Sequence, residues 1–300
     1  MTLDIHNSPS SRFDPTTLKR NPKSGRTLFG LIMTGVAGLF MVLAIVPLFL
    51  ILSYVIIQGI GQLQPRIFTE LPPPPLVEGG GFGNAILGTI LMVGIGALIS
   101  VPVGVMAAIY LSEFSNGKIA EWTRFATNVL SGVPSIIVGV FAYAVFVLTT
   151  KSYSAWAGGF ALAVLMLPII IRTTDEALKL VPQEVRQASV GLGANDYQTV
   201  LRVVLPAAVP AIITGVTLAV ARAAGETAPL LFTALFTQFW PNWDEFLMEP
   251  TASLSVLAYN FAIVPFENQR ELAFAAAFIL VLLVLLTSII SRLATARRTY

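Results

Sequence analysis

The chain has 300 residues, of which 55% are hydrophobic and 11% are charged, and its formal net charge is +2. A soluble domain carries about 25% charged residues, so this composition excludes a soluble globular protein and indicates an integral membrane protein with several helices. The apolar runs are long and unbroken, which disfavours a β-barrel. Because the chain has no cysteine, disulfides and thiol chemistry are excluded.

The first segment, residues 1–27, is rich in proline, serine, asparagine and basic residues, which predicts a disordered tail. The only histidine, His6, lies in this tail. A metal or acid–base site built on histidine is therefore not expected, and we expect no metal site in the chain. The following apolar run, Leu28–Ile57, is about twice as long as a signal-peptide core, so it predicts an uncleaved first membrane helix.

Runs of about 20 apolar residues predict six membrane spans. The expected fold is therefore an all-α polytopic membrane protein whose transmembrane domain covers residues 28–295. The spans are Leu28–Ile57, Asn84–Leu111, Phe125–Thr149, Ala155–Arg172, Pro206–Leu235 and Glu271–Leu293. In the second span, small residues at four-residue spacing, Gly96, Ser100, Gly104 and Ala108, predict close packing against another helix.

The charges of the loops predict the orientation of the chain. Lysine and arginine concentrate in the N-terminal tail, in residues 118–124 and 179–202, and at the C-terminal end, whereas the other loops are mainly acidic. The basic side of a membrane protein faces the cytoplasm. Both termini are then cytoplasmic, and residues 236–270 form an outer loop whose aromatic side chains suit the membrane–water interface or a docked partner.

The cytoplasmic segment between the fourth and fifth spans, about residues 173–206, has helical patterning. Pro182 suits a first helical position, Gly191 and Gly193 are candidates to end the helix, and Asn195 or Asp196 can cap a second helix. The pattern predicts a short helix pair. An ordinary amphipathic loop lying on the membrane surface is the alternative.

Two ionised residues, Arg222 and Glu226, lie deep in the apolar run LAVARAAGETAPLLF. A charge at the centre of a bilayer costs roughly 2.5–3.5 kcal/mol on insertion scales, so these side chains must face another helix, each other or a water-filled path. Their four-residue spacing places them on one helix face. They either line a path for a polar solute, with the neighbouring Thr227, or neutralise each other as a structural ion pair.

The order of residues in the cytoplasmic segment resembles the EAA motif of ABC-importer permeases. Gln187-Ala188-Ser189, three residues, Gly193, nine residues and then Val203-Val204-Leu205-Pro206 keep the spacing of that motif, with Gln, Ser and Val replacing its Glu, second Ala and Ile. The resemblance implies the MetI-like permease fold, in which the motif forms a coupling helix that docks on an ATPase subunit. The residues implied in this coupling are Gln187, Ala188, Ser189, Val190, Gly191, Leu192 and Gly193.

The R-x-x-G-E-T-A-P-L core of residues 222–230, with LPIIIRTTDEAL and SGVPSIIVGVFAY upstream, is similar to the PstA family of phosphate ABC-importer permeases. This resemblance implies import of inorganic phosphate across the bacterial inner membrane. It implies three kinds of partner: a homologous second permease (PstC-like), two ATPase subunits (PstB-like), and a periplasmic or extracellular phosphate-binding protein (PstS-like). ATP and Mg²⁺ then reside on the ATPase, and this chain has no catalytic residues and binds no cofactor. The only Gly-Lys pair, Gly117-Lys118, lacks the rest of a phosphate-binding loop.

The resemblance also implies a transport role for Arg172, although by position alone this residue is equally well explained as a positive-inside anchor. The residues leave other functions open. A permease for another oxyanion, sulfate or molybdate, would use the same arginine chemistry. A secondary anion transporter would need no coupling helices, and an intramembrane enzyme would lack a good nucleophile–base set.

Overall fold

A computed structural model describes residues 25–115, 117–245 and 247–296, and these are helical with no β-strand. The predicted tail up to residue 24, including His6, lies outside them. The helices are α1 Gly25–Ile60, α2 Arg66–Thr69, α3 Gly83–Ile109, α4 Lys118–Gly132, α5 Ser135–Ala142, α6 Leu148–Thr150, α7 Ala155–Lys179, α8 Gln183–Gly191, α9 Asp196–Thr199, α10 Leu205–Ala224, α11 Ala228–Thr233, α12 Leu254–Ala262 and α13 Glu267–Ala296. Three π-helical turns continue the helices at Tyr110–Phe114, Tyr143–Val147 and Val200–Val204.

Five helical segments of the described residues are long and apolar enough to cross a membrane: α1, α3 with its π-helical turn, α7, α9 with α10, and α13. The pair formed by α4 and the α5–α6 segment passes the same test but bends by 102° at its break. The predicted number of six spans is reached when this bent pair counts as one span.

The chain divides into two compact units, and the first ends within α1 at Tyr54. In this unit α1 starts at Gly25, shortly before the predicted start at Leu28. Its large apolar side chains, Leu48 and Phe49 among them, are exposed. A helix in contact with lipid needs this composition, because all its backbone hydrogen bonds are internal.

The third predicted span, Phe125–Thr149, is wrong as a continuous helix. Helix α4 ends at Gly132 and α5 begins at Ser135, after an extended residue at Val133 with φ −70° and ψ 128°. Pro134 explains the break, because its ring disfavours helical geometry in the residue before it. The chain therefore changes direction here instead of running straight through the apolar layer.

The fifth predicted span, Pro206–Leu235, is also too long. Helix α10 ends at Ala224, and Gly225 occupies the position after its last turn. Gly225 favours the break because glycine loses more backbone freedom in a helix than other residues. Pro229 stands in the first turn of the short helix α11, where its missing N–H is tolerated. Glu226 therefore lies beyond the helix that carries Arg222.

The predicted outer loop 236–270 contains a buried helix, α12. The Ser253 side chain caps this helix by accepting a hydrogen bond from the Val256 N–H at 3.3 Å. Its residues Leu254, Val256 and Leu257 are fully buried, and Leu254 and Leu257 share a hydrophobic cluster with α13. The description of this segment as a loop was therefore wrong for residues 254–262.

The small residues of α3 pack against α7, as their spacing predicted. Gly96, Ser100, Gly104 and Ala108 are all buried. A Cβ atom on Gly104 would lie 2.8 Å from Ile170 Cγ2, and one on Gly96 would lie 3.2 Å from Gly159 O. Only residues without bulky side chains allow the two helices to approach this closely. Helices α3 and α7 consequently form a firmly packed pair.

Candidate functional site

The Arg222–Glu226 pair lies at the end of α10. Arg222 is in the last helical turn, and its Nε lies 3.5 Å from Glu226 Oε1. The arginine side chain is 55% exposed, whereas the glutamate side chain is 16% exposed. The free carbonyl groups at a helix C-terminus favour a cation, so the end of α10 helps to stabilise the charge of the guanidinium. The 3.5 Å separation is long for a hydrogen bond, which makes the pair a loose one.

A residue from α12 fixes the segment that follows Arg222. Ser255 Oγ donates a hydrogen bond to the Glu226 carbonyl at 2.8 Å, and the Glu226 N–H binds Ala223 O at 3.2 Å. Thr227 is half-buried at the start of α11, and its side chain makes no helix-cap hydrogen bond. Sequence reasoning missed Ser255. The available signal was Ser253 ahead of an apolar run, which is typical of a helix start.

The site presents an arginine whose hydrogen-bonding capacity is only partly used. A guanidinium has five N–H donors in a planar fork, and within the described residues the ion pair with Glu226 engages the Nε group alone. Such a fork binds the oxygens of an oxyanion in pairs and stays charged when desolvated. Glu226 and the Thr227 hydroxyl add an acceptor and a donor nearby along the chain. The arrangement can bind a small, partly protonated oxyanion weakly.

Arg172 is placed apart from this pair. It forms an ion pair with Glu176 at 3.0 Å on the exposed surface of α7, and its neighbour Thr173 lies against Gly215 of α10. Gly215 precedes Arg222 by about two turns, or roughly 10 Å along the helix. The structure therefore pairs Arg222 with Glu226, places Thr227 next to Glu226 in the chain, and leaves Arg172 in another site.

That second site is a cavity of about 220 Å³ at the C-terminal end of α7. Asp175 is its buried centre and accepts hydrogen bonds from Arg124 of α4 and Lys179 of α7. Arg124 also donates to Leu111 O at 2.8 Å. These bonds tie α4 to α7 and to the end of α3, so the charges beside Arg172 hold helices together.

The segment between α7 and α10 folds as the predicted helix pair. Pro182 precedes α8 in an extended conformation, with ψ 146°, instead of occupying its first turn. Gly193 has φ +89°, a left-handed conformation that favours glycine after a helix. Asn195 caps α9 through a capping box with Gln198. The turn between the two helices is thus defined by local residue chemistry.

The predicted coupling residues fall into two groups. Leu192 is 91% exposed at the tip of the pair, and the other exposed members are Gln187, Ala188, Val190, Gly191 and Gly193. Ser189 is buried instead, and its hydroxyl bonds the Thr199 hydroxyl of α9 at 2.9 Å. The first group offers a surface with an apolar tip, while Ser189 braces the pair from inside.

Comparison with known proteins identifies the family to which this architecture belongs. Residues 100–300 match the family described as binding-protein-dependent transport system inner membrane component. The phosphate transport system permease protein PstA of Haemophilus influenzae is 43% identical, over 87% of this chain and 92% of the relative. The PstA protein of Yersinia pestis is 42% identical, over 83% and 84%, and PstA 1 of Mycobacterium tuberculosis is 35% identical, over 95% and 94%.

Solved structures share the fold at low sequence identity. The inward-facing MetNI methionine ABC transporter superposes with a TM-score of 0.62 at 20% identity, covering 72% of this chain and 95% of the other. A bacterial alginate ABC transporter, solved in complex with a periplasmic protein that holds an alginate pentasaccharide, gives 0.60 at 14% identity, covering 91% and 95%. The protein is thus an all-α, multi-pass membrane protein with the MetI-like permease fold. The chain belongs to the family of binding-protein-dependent transport system inner membrane components, and its relatives within that family are phosphate transport system permeases.

Proposed function

We propose that this chain is the membrane-spanning permease subunit of an ABC importer that moves inorganic phosphate into the cytoplasm. Its relatives over most of the chain are named as phosphate transport permeases, and ABC transporters share its fold. The single structural observation that carries the proposal is the loosely paired, half-exposed Arg222 at the end of an apolar helix. An arginine in that position serves an anion that must cross the membrane.

Phosphate matches the chemistry of the Arg222 site. Arg222 binds two phosphate oxygens, Glu226 accepts a hydrogen bond from the protonated oxygen of hydrogen phosphate, and Thr227 supplies a hydroxyl. Binding is weak, because a path that held its cargo tightly would trap it. Arg172, whose neighbour Thr173 contacts α10 at Gly215, acts as a second cationic contact on the cytoplasmic side of the path.

In this proposal, other subunits complete the transporter. A homologous PstC-like permease covers the exposed side of Arg222, since a half-exposed guanidinium deep in the apolar layer needs a polar neighbour. Two PstB-like ATPases carry ATP and Mg²⁺, and one of them docks on the exposed residues around Leu192 of this chain. A PstS-like binding protein delivers phosphate from outside. This chain itself is non-catalytic.

The orientation proposed from the loop charges puts both termini in the cytoplasm of a bacterial cell, with the chain in the inner membrane. Helix pair α8–α9 then faces the cytoplasm, where ATP is available. The exposed aromatic side chains of the outer segment, Phe239, Trp240 and Trp243, face the opposite side, where a binding protein arrives.

Uptake of radiolabelled phosphate into proteoliposomes tests the proposal. The reconstituted complex is expected to accumulate phosphate only when ATP is supplied on the side of its ATPase subunits and the binding protein is present on the other side. Arg222→Gln is expected to abolish uptake, whereas the matched control Arg270→Gln, an exposed arginine of α13, leaves it unchanged. Wild-type uptake of sulfate or molybdate in preference to phosphate, or full uptake by Arg222→Gln, would overturn the proposal.

A further inference from the structure

The cytoplasmic end of α3 is joined to the first helix of the coupling pair by a buried ion pair. Glu113 lies in the π-helical turn that ends α3, and Arg186 lies on α8. Arg186 Nη1 donates to Glu113 Oε2, and the two side chains are only 16% and 7% exposed, respectively. Their positions are 73 residues apart in the chain. Neither residue belongs to the Arg222 site or to the exposed docking surface.

Arg186 also binds the segment that leads into the coupling pair. Its Nη2 donates to Leu178 O at 2.7 Å and its Nε to Val181 O at 3.4 Å. One guanidinium therefore contacts the end of α7, the connection to α8 and the end of α3. The fixed fork of an arginine makes such a junction stiff, because its donors cannot rotate independently.

The residue after Glu113 contacts the second helix of the pair. The ring of Phe114 stacks on the ring of Tyr197 in α9, with centroids 4.9 Å apart and an interplanar angle of 28°. Helices α8 and α9 are themselves joined by the Ser189–Thr199 hydrogen bond. Two consecutive residues at the end of α3 thus contact both helices of a pair that is internally braced.

We propose that Glu113 and Phe114 form a mechanical link that transmits movement of the coupling pair to α3, an inference that rests on the proposed ABC-importer function. The backbone connects the coupling pair directly to α7 and α10, whereas α3 is not adjacent to the pair in the chain. Separating a buried ion pair leaves two desolvated charges without a partner, which is costly. The Glu113–Arg186 contact therefore stays formed while the coupling pair moves. Because α3 packs closely on α7, the three helices α3, α7 and α10 then move as one body.

The test uses the whole reconstituted complex and measures phosphate imported per ATP hydrolysed. Breaking both contacts with Glu113→Gln and Phe114→Ala is expected to lower this ratio at least about fivefold, the lower end of typical coupling between sites, while ATP is still hydrolysed. The control is Glu184→Gln, an exposed glutamate on α8, the helix that carries Arg186, and it should leave the ratio unchanged. A double variant with the wild-type ratio would overturn the link.

A second measurement separates a link from a merely structural contact within a single preparation. The chain has no cysteine, so Glu113→Cys with Arg186→Cys can be joined selectively by a short, reducible bis-methanethiosulfonate reagent, with the other subunits free of reactive cysteine. Cross-linking is expected to restore the ratio and reduction to lower it again. A ratio that does not respond to reduction overturns the link, whereas failure of the wild-type complex to import phosphate overturns the proposed function instead.

Discussion

At the residue scale, the geometry of Arg222 explains how a charge can be both tolerated and available. A central arginine costs about 2.5–3.5 kcal/mol on insertion scales, and a single contact at 3.5 Å with a carboxylate offsets this only in part. The carboxylate is largely buried, whereas the guanidinium is half-exposed. The arginine is therefore the member of the pair that can exchange its partner for an anion, while Glu226 stays in place.

The carboxylate of Glu226 is predicted to distinguish phosphate from sulfate. Phosphate keeps a proton at neutral pH and can donate a hydrogen bond to Glu226, whereas sulfate has no proton and is repelled by it. Hydrogen bonds to charged groups contribute about 1.5–3 kcal/mol, so in Glu226→Gln the excess of sulfate needed to inhibit phosphate uptake by half should fall about tenfold or more. The measurement is competition by sulfate during phosphate uptake in proteoliposomes.

If sulfate competes with phosphate equally well in Glu226→Gln and in the wild type, and the complex assembles normally, then Glu226 only neutralises the charge of Arg222. Glu245→Gln is a suitable control because this exposed glutamate lies in the outer segment, away from α10. It should show the wild-type response to sulfate. Loss of assembly in Glu226→Gln alone would indicate that the carboxylate is needed to fold the end of α10.

At the element scale, the helix breaks decide where the functional groups lie. Pro134 turns the third span by 102°, and Gly225 ends α10 just after Arg222. Both residues are visible in the sequence, yet the apolar runs around them continue without interruption, and runs were the basis for the predicted spans. Hydropathy measures whether a segment suits lipid, and it does not report whether its backbone stays helical.

The packing face of α3 was predicted correctly from a local pattern, whereas contacts between distant segments were not predicted. The spacing of Gly96 and Gly104 predicted a packing face because helical period is a local property. The hydrogen bond from Ser255 to Glu226 and the ion pair between Glu113 and Arg186 join residues 29 and 73 positions apart. No periodicity in one sequence encodes such a pairing, so these parts of the site required the fold.

The close contact between α7 and α10 predicts a strong effect of one methyl group. A Cβ atom on the buried Gly215 would lie 2.2 Å from Thr173 Oγ1, which forces one helix to shift. Overpacking of this kind costs about 1–3 kcal/mol, so Gly215→Ala should lower the Tm of the solubilised protein. Gly94→Ala is the matched control, since nothing lies within 4 Å of its added atom and alanine favours a helix.

Thermal unfolding in detergent, followed by fluorescence or light scattering, provides the comparison. An equal Tm for Gly215→Ala and Gly94→Ala would show that α7 and α10 are not packed as described. The same shift should weaken transport, because Thr173 is adjacent to Arg172 in the chain. Thr173→Ala combined with Gly215→Ala should recover only a minor part of the lost stability, because it removes Thr173 Oγ1 but keeps Thr173 Cβ, 2.6 Å from the added atom.

Helix α4 is predicted to lie along the membrane surface. It buries Ala120 and Thr127 and exposes Trp122 and Phe125, whose rings meet edge to face at 5.9 Å. A helix bent by 102° from a membrane-crossing segment runs close to the plane of the bilayer, and tryptophan prefers the interface there. In a variant that keeps Trp122 as its only tryptophan, lipids brominated near the headgroup should quench the fluorescence more strongly than lipids brominated near the chain end.

Quenching by aqueous iodide without quenching by brominated lipid would place α4 in water and contradict this prediction. The control is a variant that keeps only Trp243, an exposed residue of the outer segment. That tryptophan should respond to iodide added from outside, while Trp122 should not. The two residues thus report on opposite faces of the bilayer in the same protein.

At the scale of the whole molecule, the exposed residues divide the protein into regions with different surroundings. Leu192, at 91% exposure, presents an apolar side chain close in sequence to the exposed Val190, which indicates a surface that a partner covers. Most exposed residues of α1 are apolar, and the run from Leu28 to Ile57 suits lipid. Arg222 is half-exposed within an otherwise apolar run and suits a path shared with another subunit.

The topology of the chain in the membrane can be measured directly by labelling introduced cysteines, because the chain has no cysteine of its own. We expect a membrane-impermeant maleimide to label Phe239→Cys in intact cells, and Leu192→Cys and Leu293→Cys only in inverted vesicles. All three side chains are exposed. Leu192 and Phe239 lie outside the membrane-crossing helices, and Leu293 ends the span formed by α13, so labelling reports the side of the membrane on which each lies. The segment α9–α10 is the only span between Leu192 and Phe239 among the described residues, and α13 is the next. Labelling of Leu192→Cys and Phe239→Cys from the same side would therefore mean that α10 does not cross the membrane, and Arg222 could not lie on a path through it.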